Sequence, residues 1–280
     1  MRLNSLILQA ISLHEGNCKL VFFLGGYDAE MLTIREMLIK NNETIFDKKL
    51  SWNNAKLSAY KDEIKALSEK QIPVFIELEL DYSYPEYAKI IDHHNEKAGR
   101  DKETSIEQVG KLLGINLDRY QQLISANDKG HINGMRMVCA TDEEIQKIRA
   151  FDRKAQGVTQ EDEKLAIKSI DENLEIINTQ SVIINSLSEK TSPIVDILYE
   201  KYCHIFIYTP AGTLTYSGTG EIIQKFENFC NKLNEKDKNL NYWKGGDLPK
   251  RGYFGADKPI SRDIIIDIVK TTYTGDDKPL

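Results

Sequence analysis

Residues 19–40, "KLVFFLGGYDAEMLTIREMLIK", decide the fold class. The apolar run from Lys19 to Leu24 is closed by Gly25 and Gly26, and helical spacing then takes over. Strand, glycine turn and helix in that order are how an α/β unit begins. The segments that follow repeat the alternation. "SAYKDEIKALSEKQ" has the charge and spacing of an amphipathic helix, and "IPVFIELEL" is a strand that turns acidic at its end. "AKIIDHH" is a further short strand, and "TSIEQVGKLLG" a helix with Thr104 or Ser105 near its N-cap and Gly114 as its stop. "RYQQLISANDKG" predicts another helix, closed by a polar glycine turn. Strands and helices alternating at this density predict an α/β fold built on a parallel sheet.

From Thr141 to about Lys190 the chain is charge-rich and predicts connecting helices broken at Gly157, with no strand. After Lys190 the texture turns to β composition in "CHIFIYTP", "GTLTYSG" and "DIIIDIV", with the helical "GEIIQKFENFCNKL" between them. The expected organisation is therefore an α/β domain over 1–154, a helical connector over 155–190 and a smaller α+β domain over 191–280.

The bulk numbers narrow the function classes. At 280 residues, 41% hydrophobic and 29% charged, the chain can bury a sizeable core. A net charge of -6 argues against a general nucleic-acid coat protein. The four cysteines are scattered without a CxxC pair, which gives neither a zinc ribbon nor a disulfide framework. The N-terminus has no signal-peptide pattern and no apolar run is long enough to span a bilayer, so a cytoplasmic protein with no membrane partner is expected.

In a parallel α/β sheet ligands gather outside the carboxyl ends of the strands. Asp28 and Glu30 follow the first strand; Glu77, Glu79 and Asp81 lie at or beyond the end of "IPVFI", where odd spacing predicts a shared face. Asp92, His93 and His94 close "AKII", and Asp128 sits in "ANDKG". Carboxylates with some imidazole are the donor set of Mn²⁺ or Mg²⁺ rather than of structural zinc. Two such ions about 4 Å apart could bind a phosphate and activate a water.

These residues carry a resemblance. "IIDHHN" resembles the signature motif of the DHH phosphoesterase superfamily, whose members include RecJ-type exonucleases, oligoribonucleases and cyclic-dinucleotide phosphodiesterases. "GYDAE" corresponds to the family's His-x-Asp-x-Asp motif through Gly26, Asp28 and Glu30, "VFIELEL" to its second acidic strand end through Glu77 or Glu79, and Asp128 to its fourth motif. The resemblance implies a DHH-type first domain with Asp28, Glu30, Glu77, Glu79, Asp92, His94 and Asp128 as metal ligands. It implies catalytic roles for Asp92, His93 and His94, and one or two Mn²⁺ or Mg²⁺ ions as cofactor. The C-terminal segment resembles the associated DHHA1 substrate-binding domain. "YWKGGDLPKRGYFGAD" holds four glycines together with Lys244, Lys250 and Arg251, and a glycine-rich loop with such cations can cradle a phosphate. Lys244, Gly245, Gly246, Lys250, Arg251 and Gly252 are the expected substrate contacts, joined by Ser217 and Gly218 of "GTLTYSGTGE".

Three positions depart from the family pattern: Gly26 stands for histidine, and Glu30 and Glu77 stand for aspartate. A glutamate reaches one methylene further, and loss of the histidine removes one ligand. The expected function is hydrolysis of a phosphodiester or phosphomonoester of a nucleotide or short oligonucleotide, by a monomer or homodimer. The alternative is a non-hydrolytic nucleotide-binding or regulatory module with a degenerate metal site.

Overall fold

The computed structural model describes residues 18–93, 97, 101–235 and 239–272. The chain forms two compact units, one made of Met1–Lys97 with Lys102–Ser125 and the other of Ala98–Asp101 with Ala126–Leu280. Among the described residues no helix is long and apolar enough to cross a membrane.

The first unit is built on a four-stranded, wholly parallel sheet of order β2-β1-β3-β4. Its strands are β1 (Lys19–Leu24), β2 (Thr44–Phe46), β3 (Gln71–Ile76) and β4 (Lys89–Ile91). The last four residues of both β1 and β3 are buried without alternation, the pattern of strands covered on both faces. The helices are α1 (Ala29–Lys40), the short α2 (Lys61–Lys65) and α3 (Ser105–Leu113). On one face Val21, Phe23 and Phe75 pack with Leu57 and Tyr60. Tyr60 is fully buried, its hydroxyl donating to the Leu24 carbonyl at 2.6 Å and accepting from the Lys48 amide at 3.0 Å. Burial pushes this phenol up to about 12. Tyr60→Phe leaves the carbonyl at the end of β1 and the Lys48 amide without this partner. We expect a loss of about 2 kcal/mol, to be read by urea unfolding; a loss below about 0.5 kcal/mol would show that neither bond matters.

The second unit holds α4 from Ala126 onward (the whole helix is Arg119–Met137), α5 (Asp142–Ala155) and α6 (Gln160–Asn173), then a six-stranded mixed sheet. The strands are β5 (Leu174–Asn178), β6 (Ser181–Asn185), β7 (His204–Tyr208), β8 (Leu214–Thr219), β9 (Tyr242–Asp247) and β10 (Arg251–Ala256). Their order is β5-β6-β7-β8-β10-β9, and only β6 and β7 run parallel. Helix α7 (Ser192–Leu198) joins α6 over Val182, Ile184, Ile205 and Ile207. Helices α8 (Gly220–Asn234) and α9 (Arg262–Thr272) cover the opposite face over Phe206, Leu214, Tyr216, Phe254 and Ala256.

Three local expectations are corrected here. Residues 174–185, where charge-rich texture predicts helix, form the pair β5–β6, because apolar Val182–Ile184 are buried within the sheet. The glycine-rich stretch 242–256 is a β-hairpin rather than a loop, β9 and β10 pairing along their whole length. "DIIIDIV", expected as β structure from its composition, lies in helix α9, where Ile265, Ile268 and Val269 recur at helical spacing and are buried.

Candidate functional site

All strands of the first sheet point the same way, so the residues that follow β1, β3 and β4 stand at one edge. After β1 the chain turns through Gly25 and Gly26. A Cβ on Gly25 would lie 2.0 Å from the Glu77 carbonyl oxygen, so only glycine lets the two strand ends approach this closely. Asp28 then caps α1, its Oδ1 accepting from the Met31 amide at 2.9 Å. Glu30, in the first turn of α1, is 3% exposed.

The first turn of α3 gathers these groups. Glu30 Oε1 accepts from the Ile106 amide at 2.9 Å, and the neighbouring Ser105 hydroxyl donates to Glu77 Oε1 at 2.7 Å. Helix N-termini present unsatisfied N–H groups and favour negative charge, so two carboxylates converge on one helical turn. Thr104 fixes that turn through a capping box with Glu107. Around the corner His93, nearly buried, donates from Nδ1 to the Glu103 carbonyl at 3.1 Å. A carbonyl can only accept, so the neutral ring carries its proton on Nδ1 and its lone pair on Nε2. Gln108 binds the carbonyls of Asp92 at 3.2 Å and Glu103 at 2.9 Å, tying the end of β4 to α3. The Asp92 side chain takes an ion pair from Lys97 at 3.2 Å.

Burial pushes the Glu30 carboxyl well above its ordinary range, and the charges of Glu77 and Asp28 push it further; the Ile106 amide opposes them. Glu30 Oε2 is buried without a hydrogen-bond partner, and among the described residues no lysine or arginine pairs with this side chain. A buried carboxylate of that kind is satisfied by a proton or by a cation. The donor set of Asp28, Glu30, Glu77, Asp92 and His93 suits Mn²⁺ or Mg²⁺ by chemistry. Among the described residues, however, no three histidine, cysteine, aspartate or glutamate side chains stand ready to hold a metal. Glu30 and Glu77 are turned toward the N-terminus of α3 instead.

The other expected site residues fall elsewhere. Glu79 and Asp81 do not share a face with Glu77: at Glu77 φ is 51°, which ends β3 and breaks the alternation. Glu79 is exposed and paired with Lys56 at 3.0 Å, while Asp81 binds Ser58. His94 lies outside the described residues. Asp128 lies in the second unit, two residues before the helix breaks at Gly130 and His131, where the dihedrals are non-helical, as the glycine-closed turn of "ANDKG" predicts. In the β8–β10–β9 region the expected substrate contacts divide between faces. Arg251, Ser217 and Gly245 take one side of the sheet, and Lys244, Gly246, Gly252 and Gly218 take the other. Lys244 is paired with Glu227 at 2.7 Å. Arg251 lies 3.8 Å over the Tyr199 ring and donates to the carbonyls of Tyr199 and Tyr202. Lys250 is exposed in the turn between the strands.

One residue of this neighbourhood has no signal in the sequence. The Trp52 indole lies against Gly26, where a Cβ would come within 2.4 Å of the ring. A histidine at 26 could not stand there while Trp52 keeps its place.

No family model matches the sequence, and no curated protein matches it. Among solved structures the chain is similar to an exopolyphosphatase-related protein from Bacteroides fragilis, at 12% identity and TM-score 0.48, over 96% of this chain and 95% of that one. It is also similar to RecJ from Thermus thermophilus, solved in complex with Mg²⁺, at 12% identity and TM-score 0.41, over 93% of this chain and 50% of that one.

Proposed function

We propose that this protein is a divalent-metal-dependent phosphoesterase acting on a nucleotide or short oligonucleotide. One observation carries the reading. The helix after β1 and the end of the neighbouring parallel strand β3 deliver Glu30 and Glu77 to adjacent residues of one helix N-terminus, and Glu30 is left buried with an unpaired oxygen. The resemblance of "IIDHHN" to the DHH motif supports it from the sequence. Asp28, Glu30, Glu77, Asp92 and His93 would hold the cation through carboxylate oxygens and the Nε2 lone pair. A bound ion supplies Lewis-acid polarisation of a phosphoryl oxygen and a water of lowered pKa. The contribution of the chain is to keep His93 in one tautomer through Glu103, to hold the acids at one sheet edge, and to supply fixed dipoles from the first turn of α3.

A second reading, nucleotide binding without hydrolysis, is favoured by the commitment of Glu30 and Glu77 to the Ile106 amide and the Ser105 hydroxyl. Metal content and Mn²⁺-dependent hydrolysis of bis-p-nitrophenyl phosphate and pApA, compared among wild type, Asp92→Ala and His93→Ala, separate the two. The expected result is Mn²⁺ binding and turnover in the wild type, with turnover lost in both variants. A wild type that binds nucleotide but neither takes up Mn²⁺ nor cleaves either compound overturns the enzyme reading in favour of the second.

A further inference from the structure

The chain has two tryptophans, and the second sits in an unusual setting. Trp243 on the edge strand β9 faces Gly255 of β10, while Tyr253 of β10 faces Gly245 of β9. Each ring lies across the neighbouring strand onto a glycine. A Cβ on Gly255 would be 2.1 Å from Trp243 Cε2, and one on Gly245 would be 2.4 Å from Tyr253 Oη. One side of each ring is therefore against backbone, yet Trp243 is 46% and Tyr253 51% exposed. The two residues share a face by register, and it is the opposite one from Phe254 and Ala256, which α8 and α9 cover. Helices α6 and α7 lie over β6 and β7, at Val182, Ile184, Ile205 and Ile207.

We propose that Trp243 and Tyr253 form a two-ring platform that stacks the bases of a single-stranded oligonucleotide at least two nucleotides long. An aromatic ring held flat on a sheet presents a π-face that any base can cover, which is how sheet platforms bind single strands without reading sequence. The residues around the rings are polar. Thr215, Ser217, Thr219, Arg251 and Asp247 share the face by register, with the Thr215 and Thr219 hydroxyls and Arg251 Nε buried. Apart from the two rings, β8, β9 and β10 place no apolar side chain on this face, which suits a stacked nucleotide better than the apolar centre of a protein interface. Exposed Lys250, next in sequence to Arg251, adds a cation for the backbone. The proposal rests on the nucleotide reading above and deepens it by naming the groups that hold the base. It favours a base-bearing substrate over inorganic polyphosphate.

The test is a binding measurement in EDTA, where hydrolysis plays no part. In a Trp52→Phe background Trp243 is the sole tryptophan, and its fluorescence reports stacking. Titration with pentathymidylate should quench it, with Trp243→Ala and Tyr253→Ala, each read by filter binding, weakening the oligonucleotide about ten-fold. Trp243→Phe should retain most of the affinity, and tripolyphosphate binding should be the same in wild type and variants. A merely structural role for the rings would lower melting temperature without separating the two ligands. Unchanged oligonucleotide affinity in both alanine variants overturns the platform. So does an equal loss toward tripolyphosphate, or conversion of a dimer to a monomer with oligonucleotide affinity intact. Quenching without any metal-dependent cleavage leaves the platform standing and removes the phosphoesterase reading; cleavage that ignores both rings does the reverse.

Discussion

Arg149→Met is expected to destabilise the second unit by about 3–5 kcal/mol. The guanidinium is nearly inaccessible and makes four contacts: Nη1 to Asp152 at 2.7 Å and to Asn127 at 3.0 Å, and Nε to both oxygens of Asp196 at 3.1 Å. Asp196 also receives Arg153 at 2.5 Å and His131 Nε2 at 3.1 Å. Burial alone would raise the Asp196 carboxyl; Arg149, His131 and Arg153 outweigh it and hold the group well below the usual carboxylate range. Removing the arginine leaves two buried carboxylates short of a cation. Uncompensated buried charge is the expensive outcome, far more so than loss of an exposed pair such as Lys168–Glu172. The effect should be local. Asn127, which Arg149 holds, precedes Asp128 on α4, so the helix break at Gly130 and His131 should loosen with it. Urea unfolding of the variant checks the magnitude, and Arg149→Lys should fall between, since one charge without the planar fork cannot serve three partners. A methionine variant within 1 kcal/mol of wild type would show that the cluster is paid for by its own desolvation.

Much of the frame could be read from local pattern, and the misreadings have physical causes. The buried runs of β1 and β3 announce a parallel sheet because they are apolar without alternation, and the acids that follow them are where strands of that kind end. The face of Glu79 was not legible: alternation assumes an extended backbone, and the left-handed conformation at Glu77 cancels it. Strand β5 hides because it is an edge strand with Glu175, Ile176 and Asn178 exposed, following directly on a charged helix. The glycines of 242–256 resemble a phosphate loop by composition, but two of them serve as beds for Trp243 and Tyr253, a pairing that only register reveals. At the site, the capping residues Thr104 and Ser105 are legible as a helix start. That this helix start receives Glu30 and Glu77, from positions 76 and 28 residues away, is a tertiary fact without a local signal.

His204 should make the second unit sensitive to acid. Its ring is fully buried, with Nδ1 2.8 Å from the Tyr216 hydroxyl. Burial, aided by the nearby charge of Arg251, lowers its pKa from 6.5 to about 4. The folded value is below the unfolded one, so the unfolded chain binds the proton more readily. The contribution is therefore fully present above about pH 6.5 and is lost as the pH falls from 6.5 toward 4. At about 1.4 kcal/mol per pH unit, that interval amounts to about 3 kcal/mol. Urea midpoints at pH 7.5 and pH 4 measure the loss, and His204→Gln, which cannot titrate, should remove most of the difference between them. Acid destabilisation of equal size in the glutamine variant would assign the effect to other groups. Arg251→Met supplies an independent check on the cause: without that cation, protonation of the ring becomes less costly, and the stability lost at each pH between 6.5 and 4 should be smaller. The same variant removes the guanidinium from the Tyr199 ring and from the carbonyls of Tyr199 and Tyr202, so its stability at pH 7.5 should fall even as its pH dependence flattens.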